Sequence, residues 1–446
     1  MVIDVNTSLN PFEIFTIFKD EKDSFILDSH MDFENLGRYS FIGFNPFKII
    51  KFKNDKENPL DCLDKELKKY KIKNNTDLPF IGGAVGYLSY DLANYIERLP
   101  NNSVDDISCY DLYFGFYNLI IVCDNLYKKT YIATPDIDIK IEEKIAKDVL
   151  KKISEAKVDS ICYEHRDFKS TILKSNFTKE KFKNSVRKIK NYIKNGDVYQ
   201  VNLTQRFSGT TELSSYELYR DLRKISPAPF GAYLNFDSFH ILSNSPERFI
   251  KCFDNKIQTR PIKGTRPRGK DKIEDLKLQD ELLNSEKDKA ELLMIVDLQR
   301  NDLGKISKVG TVKVPELFVI EPYANVNHLV ATVEGELEEG KSCIDIIKAT
   351  FPGGSITGAP KIRAMEIIDE LENTKRNVYT GSLGYIGFDG SMDLNIAIRT
   401  IIKKDDNLYF QVGGGITWDS NEEDEYNETL YKAKSIMKAL RGKYEK

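Results

Sequence analysis

The sequence contains no apolar run long enough to cross a membrane. Its longest runs, such as Leu119 to Cys123, are five residues, whereas a spanning helix needs about 20. The N-terminal stretch, Met1 to Asn10, also lacks the basic start and apolar segment of a secretion signal. The sequence therefore predicts a protein that is neither secreted nor held in a membrane.

Cysteine is sparse, and no two cysteines form a Cys-x-x-Cys pair. The six are scattered along the chain: Cys62, Cys109, Cys123, Cys162, Cys252 and Cys343. This spacing indicates neither a zinc site nor a disulfide framework. We therefore predict reduced thiols and a cytoplasmic location.

An excess of basic residues is also missing. Lys and Arg number 66 against 69 Asp and Glu, which gives a net charge of −3, whereas nucleic-acid-binding domains carry clustered positive charge. Apolar residues make up 41% and charged residues 30% of the chain, as in ordinary globular proteins. These proportions favour a small-molecule substrate over a nucleic acid.

Short β-like runs separated by polar turns dominate the first part of the chain. Tyr39 to Gly43 and Phe116 to Val122 are two of them. A polar helical pattern over residues 138–156 leads into a stretch that we interpret as a boundary. We therefore predict one domain over residues 1–165 and a second over residues 166–446.

Helical and strand patterns mix in the second part. Phe182, Val186 and Ile189 recur at helical spacing before Gly196. Polar and apolar residues then alternate from 199 to 207, as in a strand whose polar face is either solvent-exposed or lines a site. Further strands are predicted at Tyr379–Phe388, Asp393–Ile402 and Leu408–Trp418, and further helices near 286–299, 359–371 and 421–440.

Two predicted helices each carry two acidic residues three positions apart. Asp288 and Glu291 lie on one helix and Glu425 and Glu428 on the other, so each pair shares a helical face. Magnesium prefers oxygen ligands and often takes only one or two carboxylates. Glu291 and Glu428 are therefore candidate direct ligands, and Asp288 and Glu425 would act through water.

The same acidic residues also have a purely structural interpretation. Ser285 with Asp288, and Ser420 with Glu423, match the capping-box pattern. Acidic side chains near a helix start are also favoured by the helix dipole. Glu428, two turns into its helix, fits this interpretation less well.

A glycine-rich segment, Phe351 to Lys361, has the glycine spacing of a phosphate-binding loop at Gly353 and Gly358. Ala359 stands where the loop lysine belongs, so nucleotide hydrolysis is not indicated. Glycines that open a helix still expose N–H groups that can hold a carboxylate. A simple tight turn explains the pattern equally well.

Two single residues carry weaker signals. Lys263 stands between Ile262 and Gly264 and could act as a nucleophile if burial lowered its pKa, although most lysines are merely solvated. His328 lies beside an apolar strand, where a hydrogen-bonded structural histidine is the usual interpretation.

Taken in chain order, these segments resemble those of the chorismate-utilising enzymes, the family that contains the anthranilate and isochorismate synthases. The resemblance covers nearly the whole chain. Its most specific segments are Gly196-Asp-Val-Tyr-Gln200, Ser245-Pro-Glu247, Pro261-Ile-Lys-Gly-Thr265, Asp297-Leu-Gln-Arg-Asn-Asp302, Phe351 to Lys361 and Glu425-Tyr-Asn-Glu-Thr429.

The resemblance implies an α+β fold like that of anthranilate synthase component I. In that fold two antiparallel β-sheets pack as a sandwich with helices around the outside, and residues 166–446 would form the chorismate-binding catalytic domain. Lysine at position 263 is typical of family members that aminate chorismate at C4, whereas anthranilate-forming members typically have alanine there. The implied activity is 4-amination, on the route to 4-aminobenzoate and folate, with anthranilate formation as the alternative.

The resemblance also assigns roles at a catalytic centre. Lys263 would act as the nucleophile or as a general acid, Glu247 would shuttle protons, and His328 and Ser355 would border the ring and its leaving hydroxyl. Magnesium on Glu291 and Glu428, with Asp288 and Glu425 behind them, would bind the ring carboxylate. The remaining three matched positions would hold the pyruvyl carboxylate: Tyr379, Arg399 and the backbone N–H of Gly415.

The sequence offers no ammonia-producing centre of its own. A glutaminase of the usual class needs a nucleophilic cysteine in a glycine-flanked turn, and none of the six cysteines has that setting. We therefore expect a separate glutamine amidotransferase subunit as partner.

The resemblance extends to a tryptophan pocket in the N-terminal domain of anthranilate synthases. Ile26-Leu-Asp-Ser29 and Arg38-Tyr-Ser40 resemble its lining, although Asp28 departs from the glutamate that is common there. Whether tryptophan binds this chain is left open.

Overall fold

The computed structural model describes residues 1–29, 36–156, 170–236 and 238–444. Within these ranges the chain forms ten α-helices: α1 (Pro11–Phe18), α2 (Pro59–Lys69), α3 (Ile139–Glu155), α4 (Lys179–Lys194), α5 (Ser215–Ile225), α6 (Lys272–Leu283), α7 (Glu286–Gly304), α8 (Cys343–Thr350), α9 (Lys361–Leu371) and α10 (Glu422–Ala439). Short 3₁₀ helices occur at Tyr90–Tyr95 and Gly354–Ile356. None of the helices in the described ranges is both long and apolar enough to cross a bilayer.

The described residues also form 23 strands. They are β1 (Val2–Val5), β2 (Phe25–Asp28), β3 (Tyr39–Gly43), β4 (Lys48–Phe52), β5 (Gly83–Leu88), β6 (Leu112–Tyr117), β7 (Ile120–Asp124), β8 (Lys129–Ala133), β9 (Ile172–Ser175), β10 (Gln200–Thr210), β11 (Phe230–Phe236), β12 (Phe239–Ser245), β13 (Arg248–Phe253), β14 (Lys256–Arg260), β15 (Ile262–Pro267), β16 (Lys313–Pro322), β17 (Val326–Glu336), β18 (Gly358–Ala359), β19 (Ser382–Gly387), β20 (Met392–Ile396), β21 (Thr400–Lys404), β22 (Asn407–Ile416) and β23 (Lys443–Tyr444).

The strands make two large sheets. A thirteen-stranded sheet has the order β1-β8-β7-β3-β2-β11-β12-β21-β22-β10-β9-β23, with β18 paired to β10. A ten-stranded sheet has the order β15-β17-β14-β13-β20-β19-β5-β6-β4, with β16 paired to β17. The strand pairs within the described chain are antiparallel except for β9 with β23. This is the sandwich that the family resemblance implied.

Apolar side chains from both sheets fill the layer between them. Phe41 of β3 contacts Phe80 and Tyr385 of β19, with ring centroids 5.5 and 5.4 Å apart, in a cluster that also holds Leu234 of β11. The outer faces are covered by helices, with α2, α7 and α8 on the ten-stranded sheet and α1, α3, α5 and α10 on the other. Burial on both faces explains why β5, Gly83–Leu88, is buried at every position.

Two predicted strands each prove to be two strands in different sheets. The run Phe116 to Val122 is divided between β6 in the ten-stranded sheet and β7 in the thirteen-stranded sheet. The predicted strand Asp393–Ile402 is likewise divided between β20 and β21, which also belong to different sheets. Hydrophobic pattern alone does not reveal where a chain leaves one layer for the next.

Both halves of the sequence contribute strands to both sheets. The thirteen-stranded sheet joins them where β2 pairs with β11, and the ten-stranded sheet where β5 pairs with β19. The predicted boundary between residues 165 and 166, like Cys162, lies outside the described residues. The division into two domains therefore stays a prediction.

Candidate active site

Lys263, Ser355 and Glu247 meet at the centre of the candidate site. The Lys263 ammonium on β15 donates to the carbonyl oxygen of Ser355 at 3.3 Å. The Ser355 hydroxyl donates to Oε1 of Glu247 at 2.6 Å. Ser355 lies in the turn at Gly354–Ile356, and Glu247 lies between β12 and β13, where the chain passes from one sheet to the other. The candidate nucleophile and the candidate proton carrier are thus joined through one serine.

Burial perturbs both ionisable groups of this trio. Desolvation raises the pKa of the Glu247 carboxyl to about 7, although the hydrogen bond from Ser355 and the charge of Lys263 oppose it. Desolvation also lowers the pKa of the Lys263 ammonium, against the attraction of Glu291. A carboxyl group that titrates near neutrality can give and take protons, and an amine with a lowered pKa is more often a free nucleophile.

A β-bulge at Gly264 sets the direction of Lys263. The pairing of β15 with β17 shifts register between Lys263 and Thr265, and Gly264 has φ +81°. A Cβ on Gly264 would lie 2.9 Å from the Cβ of Asp288 and 2.9 Å from a methyl carbon of Leu282. The position therefore requires glycine both for its backbone conformation and for its space.

Replacing Gly264 by alanine is expected to lower the free energy of unfolding by about 1–3 kcal/mol, the range for a residue forced into a disfavoured backbone region. The clash with α7 should also displace Lys263 and reduce turnover at least about tenfold. Urea unfolding and steady-state rates measure the two effects. Gly340→Ala is the matched control, because Gly340 has φ +79° but open space around it; equal losses of activity in both variants would contradict the steric explanation.

His328 lies on β17 directly opposite Thr265. Its Nδ1 is 3.1 Å from the Thr265 hydroxyl oxygen, and its ring packs edge-on against Tyr323 with centroids 4.9 Å apart. Burial, assisted by the charge of Arg399, lowers the pKa of His328 to about 3. The ring is therefore neutral at physiological pH, and its buried Nε2 has no partner among the described residues. That nitrogen is available to a ligand.

Tyr379 and Arg399 lie on segments that flank the strand pair β19 and β20. Neither the Tyr379 hydroxyl nor the Arg399 guanidinium has a hydrogen-bond or ion-pair partner in the described part of the chain. Arg399 adopts φ +50° in the connection from β20 to β21, where the chain again changes sheets. A half-buried arginine without an acidic partner suits a carboxylate ligand.

The acidic residues of α10 converge on the glycines of β22. A Cβ on Gly414 would lie 3.2 Å from Oε1 of Glu428 and 3.5 Å from Oε2 of Glu425. Glu425 also accepts a 2.6 Å hydrogen bond from Ser420, while Lys432 pairs with Glu428 at 2.7 Å. The two carboxylates therefore share one helical face, as predicted from their spacing. The capping residue of α10 is Asn421, so the predicted cap by Ser420 is wrong.

The acidic residues of α7 have different surroundings. Asp288 accepts a 3.0 Å hydrogen bond from Arg266, and its backbone N–H donates to the capping Ser285 hydroxyl at 3.3 Å. Desolvation raises the pKa of Glu291, with Lys263 opposing it and Glu428 adding to it. Glu291 is thus within electrostatic reach of both the candidate nucleophile and the acidic face of α10, whereas Asp288 has an arginine partner and a role at the helix start.

Two residues of this centre were not predicted from the sequence. Gln200 at the start of β10 is fully buried, both polar atoms of its amide lack a partner among the described residues, and the amide fills the space above Gly415. Lys432 on α10 donates to the carbonyl of Gly413 at 2.9 Å. Its position four residues after Glu428 was the available signal. For Gln200 the sequence signal was weaker, because the alternation from 199 to 207 showed only that the strand has a polar face. The structure shows that this face is buried.

A separate cavity of about 250 Å³ lies between the sheets near β2 and β3. Its lining includes five residues from the segments that resemble a tryptophan pocket: Leu27, Asp28, Ser29, Arg38 and Tyr39. Asp28 pairs with Arg223 at 2.7 Å and Arg38 with Asp124 at 2.8 Å. Lys251, also in the lining, forms no ion pair within the described ranges.

Acidic and basic side chains gathered around a buried lysine, with an arginine nearby that is unpaired within the described chain, form an arrangement that suits a small anionic ligand. Residues 22–438 match the family described as chorismate binding enzyme, and the chain belongs to that family. It is 39% identical to an anthranilate synthase component 1 of Aquifex aeolicus over 466 residues, which is 99% of this chain and 93% of the relative.

Relatives named for a different activity are similar to the same degree. An aminodeoxychorismate synthase component 1 of Escherichia coli is 43% identical over 389 residues, 86% of this chain and 83% of the relative. One of Bacillus subtilis is 40% identical over 426 residues, 91% of this chain and 89% of the relative. The comparisons therefore define a chorismate-utilising enzyme without selecting one product.

Solved structures agree with the fold. The structure of an anthranilate synthase component I from Streptococcus pneumoniae has a TM-score of 0.83 and 33% identity, and the match covers 98% of this chain and 99% of that chain. The menaquinone-specific isochorismate synthase of Escherichia coli shares the fold at 16% identity, with a TM-score of 0.76 over 99% of this chain and 94% of that chain. The α+β fold predicted from the sequence is confirmed.

Proposed function

We propose that the protein is an aminodeoxychorismate synthase component I, which replaces the 4-hydroxyl of chorismate with an amino group on the route to 4-aminobenzoate and folate. The observation that carries the proposal is the position of Lys263. Its amine is 3.3 Å from the turn that holds Ser355, and Ser355 is hydrogen-bonded to Glu247. Anthranilate formation is the alternative, since relatives of both kinds are similar to the chain.

The residues of the trio account for 4-amination with balanced proton transfers. The neutral Lys263 amine attacks C2 of the ring, the ring double bonds shift, and the C4 hydroxyl leaves as water with a proton from Glu247. Ammonia then adds at C4, the double bonds shift back, and the Lys263 amine leaves C2. Glu247 recovers its proton from the new amino group. If Lys263 instead forms no covalent bond, it serves as the general acid.

The ring substituents match the unpaired groups of the site. Arg399 and Tyr379 would hold the pyruvyl carboxylate, with the backbone N–H of Gly415 as a further donor. The neutral His328, whose Nε2 has no partner in the described residues, would border the leaving hydroxyl. These assignments explain why a half-buried arginine is held without an acidic partner.

We propose a separate glutamine amidotransferase subunit as the source of ammonia. Relatives of both kinds are named component 1, and the five described cysteines are free thiols, four of them buried. A cytoplasmic location, where thiols stay reduced, is part of the same proposal. The purified chain should use ammonium salts but not glutamine, and turnover of glutamine by the chain alone would overturn this part.

The experiment that tests the function uses the purified chain with chorismate, magnesium and ammonium at mildly alkaline pH. The product is identified by mass and by coupling to aminodeoxychorismate lyase. Formation of 4-aminobenzoate in the coupled assay supports 4-amination. Anthranilate as the main product would replace the proposal with the alternative, and absence of turnover would point to a binding subunit.

We further propose that the enzyme uses magnesium. In the described residues, no group of three or more acidic, histidine or cysteine side chains is gathered as a complete metal site. The carboxylates of Glu291 and Glu428, with Glu425 beside Glu428, nevertheless offer the oxygen donors that magnesium prefers, and it commonly takes few protein ligands beside water and substrate oxygens. Bound there, it would neutralise charge on the ring carboxylate as the hydroxyl leaves.

Replacing Glu291 or Glu428 by glutamine is expected to raise the magnesium concentration for half-maximal turnover at least about tenfold, since even indirect partners of a metal often contribute that much. Calorimetric titration with magnesium in the presence of chorismate gives a readout independent of turnover. Glu286→Gln on α7 is the control, because its carboxylate is almost fully exposed. Unchanged magnesium affinity in both site variants would contradict the assignment.

We propose that the cavity lined by Asp28 and Arg38 binds tryptophan. Its apolar wall includes Leu27 and Phe230, and Lys251 could receive the ligand carboxylate. Tryptophan is expected to raise the melting temperature of the protein, because a ligand that binds only the folded state stabilises it. Lys251→Met should abolish the shift while leaving turnover unchanged; an equal shift in that variant would reject this binding mode.

A further inference from the structure

A buried ion pair outside the trio joins the segments that carry two predicted site residues. Arg376 and Glu372 are 2% and 3% exposed, and the guanidinium meets the carboxylate through two hydrogen bonds of 2.8 and 2.7 Å. A buried pair of this kind is costly to desolvate and is weak evidence for stability by itself. Its other contacts therefore matter more than the pair itself.

The guanidinium uses all the donor positions that an arginine has. Besides Glu372, it donates to the carbonyl of Ile356 at 3.0 Å, the hydroxyl of Thr380 at 3.3 Å and the carbonyl of Asn202 at 2.7 Å. These three acceptors belong to the active-site turn, the segment before β19, and strand β10. One side chain thus holds three separate parts of the chain in a fixed relation.

Two of these acceptors are next to residues of the proposed mechanism. Ile356 follows Ser355, whose hydroxyl is bonded to Glu247. Thr380 follows Tyr379, and Thr380 holds φ +59°, with its backbone N–H bonded to the carbonyl of Ala397 at 2.8 Å. The Arg376 contacts therefore constrain the backbone next to Ser355 and next to Tyr379, although none of the guanidinium hydrogen bonds goes to the side chain of either residue.

The Glu372 carboxylate is itself bonded to strand β10. Its Oε1 accepts hydrogen bonds from the backbone N–H and the hydroxyl of Thr204, at 2.9 and 2.8 Å. Asn202 in turn donates to the Ile356 carbonyl at 2.9 Å. The turn is thereby bonded to β10 both directly and through the ion pair.

We propose that Arg376, held by Glu372, is a positioning residue that sets the Ser355 turn and Tyr379 against each other so that the ring and its pyruvyl group are aligned with Lys263. The proposal depends on the proposed function only for the chemical roles of the groups that Arg376 aligns. Lysine cannot replace Arg376, because an ammonium group lacks the planar fork that reaches Glu372, Ile356 and Asn202 together.

The test measures chorismate consumption, which any amination product reports, in wild type, Arg376→Lys, Ser355→Ala and the double variant. Arg376→Lys is expected to lower kcat about 10- to 100-fold, as for reacting groups displaced by roughly 1 Å, and to raise KM for chorismate through Tyr379. In the Arg376→Lys background, Ser355→Ala should cost less than about twofold, because the two residues act through one turn.

Arg206→Lys is the matched control. Arg206 lies on the same strand β10, is also buried and pairs with Asp106, but contacts no residue of the site. It should unfold somewhat more easily than wild type and keep its kcat and KM. If Arg376→Lys fails to fold, Glu372→Gln, which keeps the shape and removes the charge, replaces it in the same cycle.

Independent effects of the Arg376 and Ser355 variants, or a loss confined to melting temperature with kcat and KM intact, would overturn the positioning role. A failure of the proposed function would be recognised separately, because the wild-type reaction would then yield anthranilate. The coupling between Arg376 and Ser355 would still be measured by the consumption of chorismate.

Discussion

Lys263→Ala is expected to reduce formation of aminodeoxychorismate at least about 100-fold, the lower range for loss of a group that takes part in bond or proton transfer. The Lys263 amine on β15 donates a hydrogen bond to the Ser355 turn, which makes it the candidate nucleophile of the proposed reaction. Alanine would leave C2 of the ring open to ammonia, so the residual product should be anthranilate. Product analysis by mass and fluorescence distinguishes aminodeoxychorismate from anthranilate.

Lys403→Ala provides the control for removing a largely buried lysine. Lys403 is 8% exposed on β21, and its ammonium is bonded to the carbonyl of Asp405, away from the trio. This variant should retain the wild-type product and rate. Undiminished aminodeoxychorismate formation by Lys263→Ala would rule out both the nucleophilic and the general-acid role.

Glu247→Gln is expected to lower turnover by about 10²- to 10⁴-fold, the usual contribution of a positioned acid–base group. The wild-type carboxyl, with a pKa of about 7, is protonated below that pH and ionised above it. The step in which the hydroxyl leaves needs the protonated form. At constant free ammonia, the wild-type rate should therefore fall as the pH rises through about 7. This fall is the alkaline limb of the pH–rate profile, and the residual rate of Glu247→Gln should not show it.

Ser355→Ala gives a second check on the same group. The hydrogen bond from Ser355 lowers the pKa of Glu247, so its removal should move the alkaline limb to higher pH. Glu142→Gln serves as control, since Glu142 is fully buried at the start of α3 and bonded to backbone N–H groups there. That variant is expected to lose stability but keep the wild-type pH profile; a limb that persists in Glu247→Gln would assign the titration to another group.

Several elements could be predicted because their signals are local. Phe182, Val186 and Ile189 are buried on one face of α4, and Gly196 follows it with φ +83°, so helical spacing and a glycine stop were sufficient. The strand that begins near Gln200 was also correct, although it extends to Thr210. Helix α7 continues to Gly304, five residues beyond the predicted end, because Leu303 still faces the core.

The site was predictable only in part. The sequence motifs identified Lys263, Glu247 and Ser355 as candidates. They did not predict the hydrogen bonds between them, because Lys263 and Ser355 are 92 positions apart and Glu247 and Ser355 are 108 positions apart. The burial of Gln200 was not visible, because alternation gives the same pattern for a solvent-facing and a site-facing strand. Arg376 lies in no recognisable motif, and its proposed role depends on acceptors at Asn202 and Ile356, 174 and 20 positions away, as well as on nearby Thr380.

The sequence by itself determined the chemical inventory and the family: the acidic pairs on α7 and α10, the glycine at 264, the lysine at 263 and the matches that identify a chorismate-utilising enzyme. These properties depend on residue type and short spacing, so they can be recognised without knowledge of the fold. Only the tertiary structure decided which groups meet, because the chain changes sheets at Glu247 and Arg399 and thereby brings Glu247 near Lys263 and Arg399 near His328. Burial then sets the pKa values of those groups, since desolvation depends on every element packed around them and on no single segment.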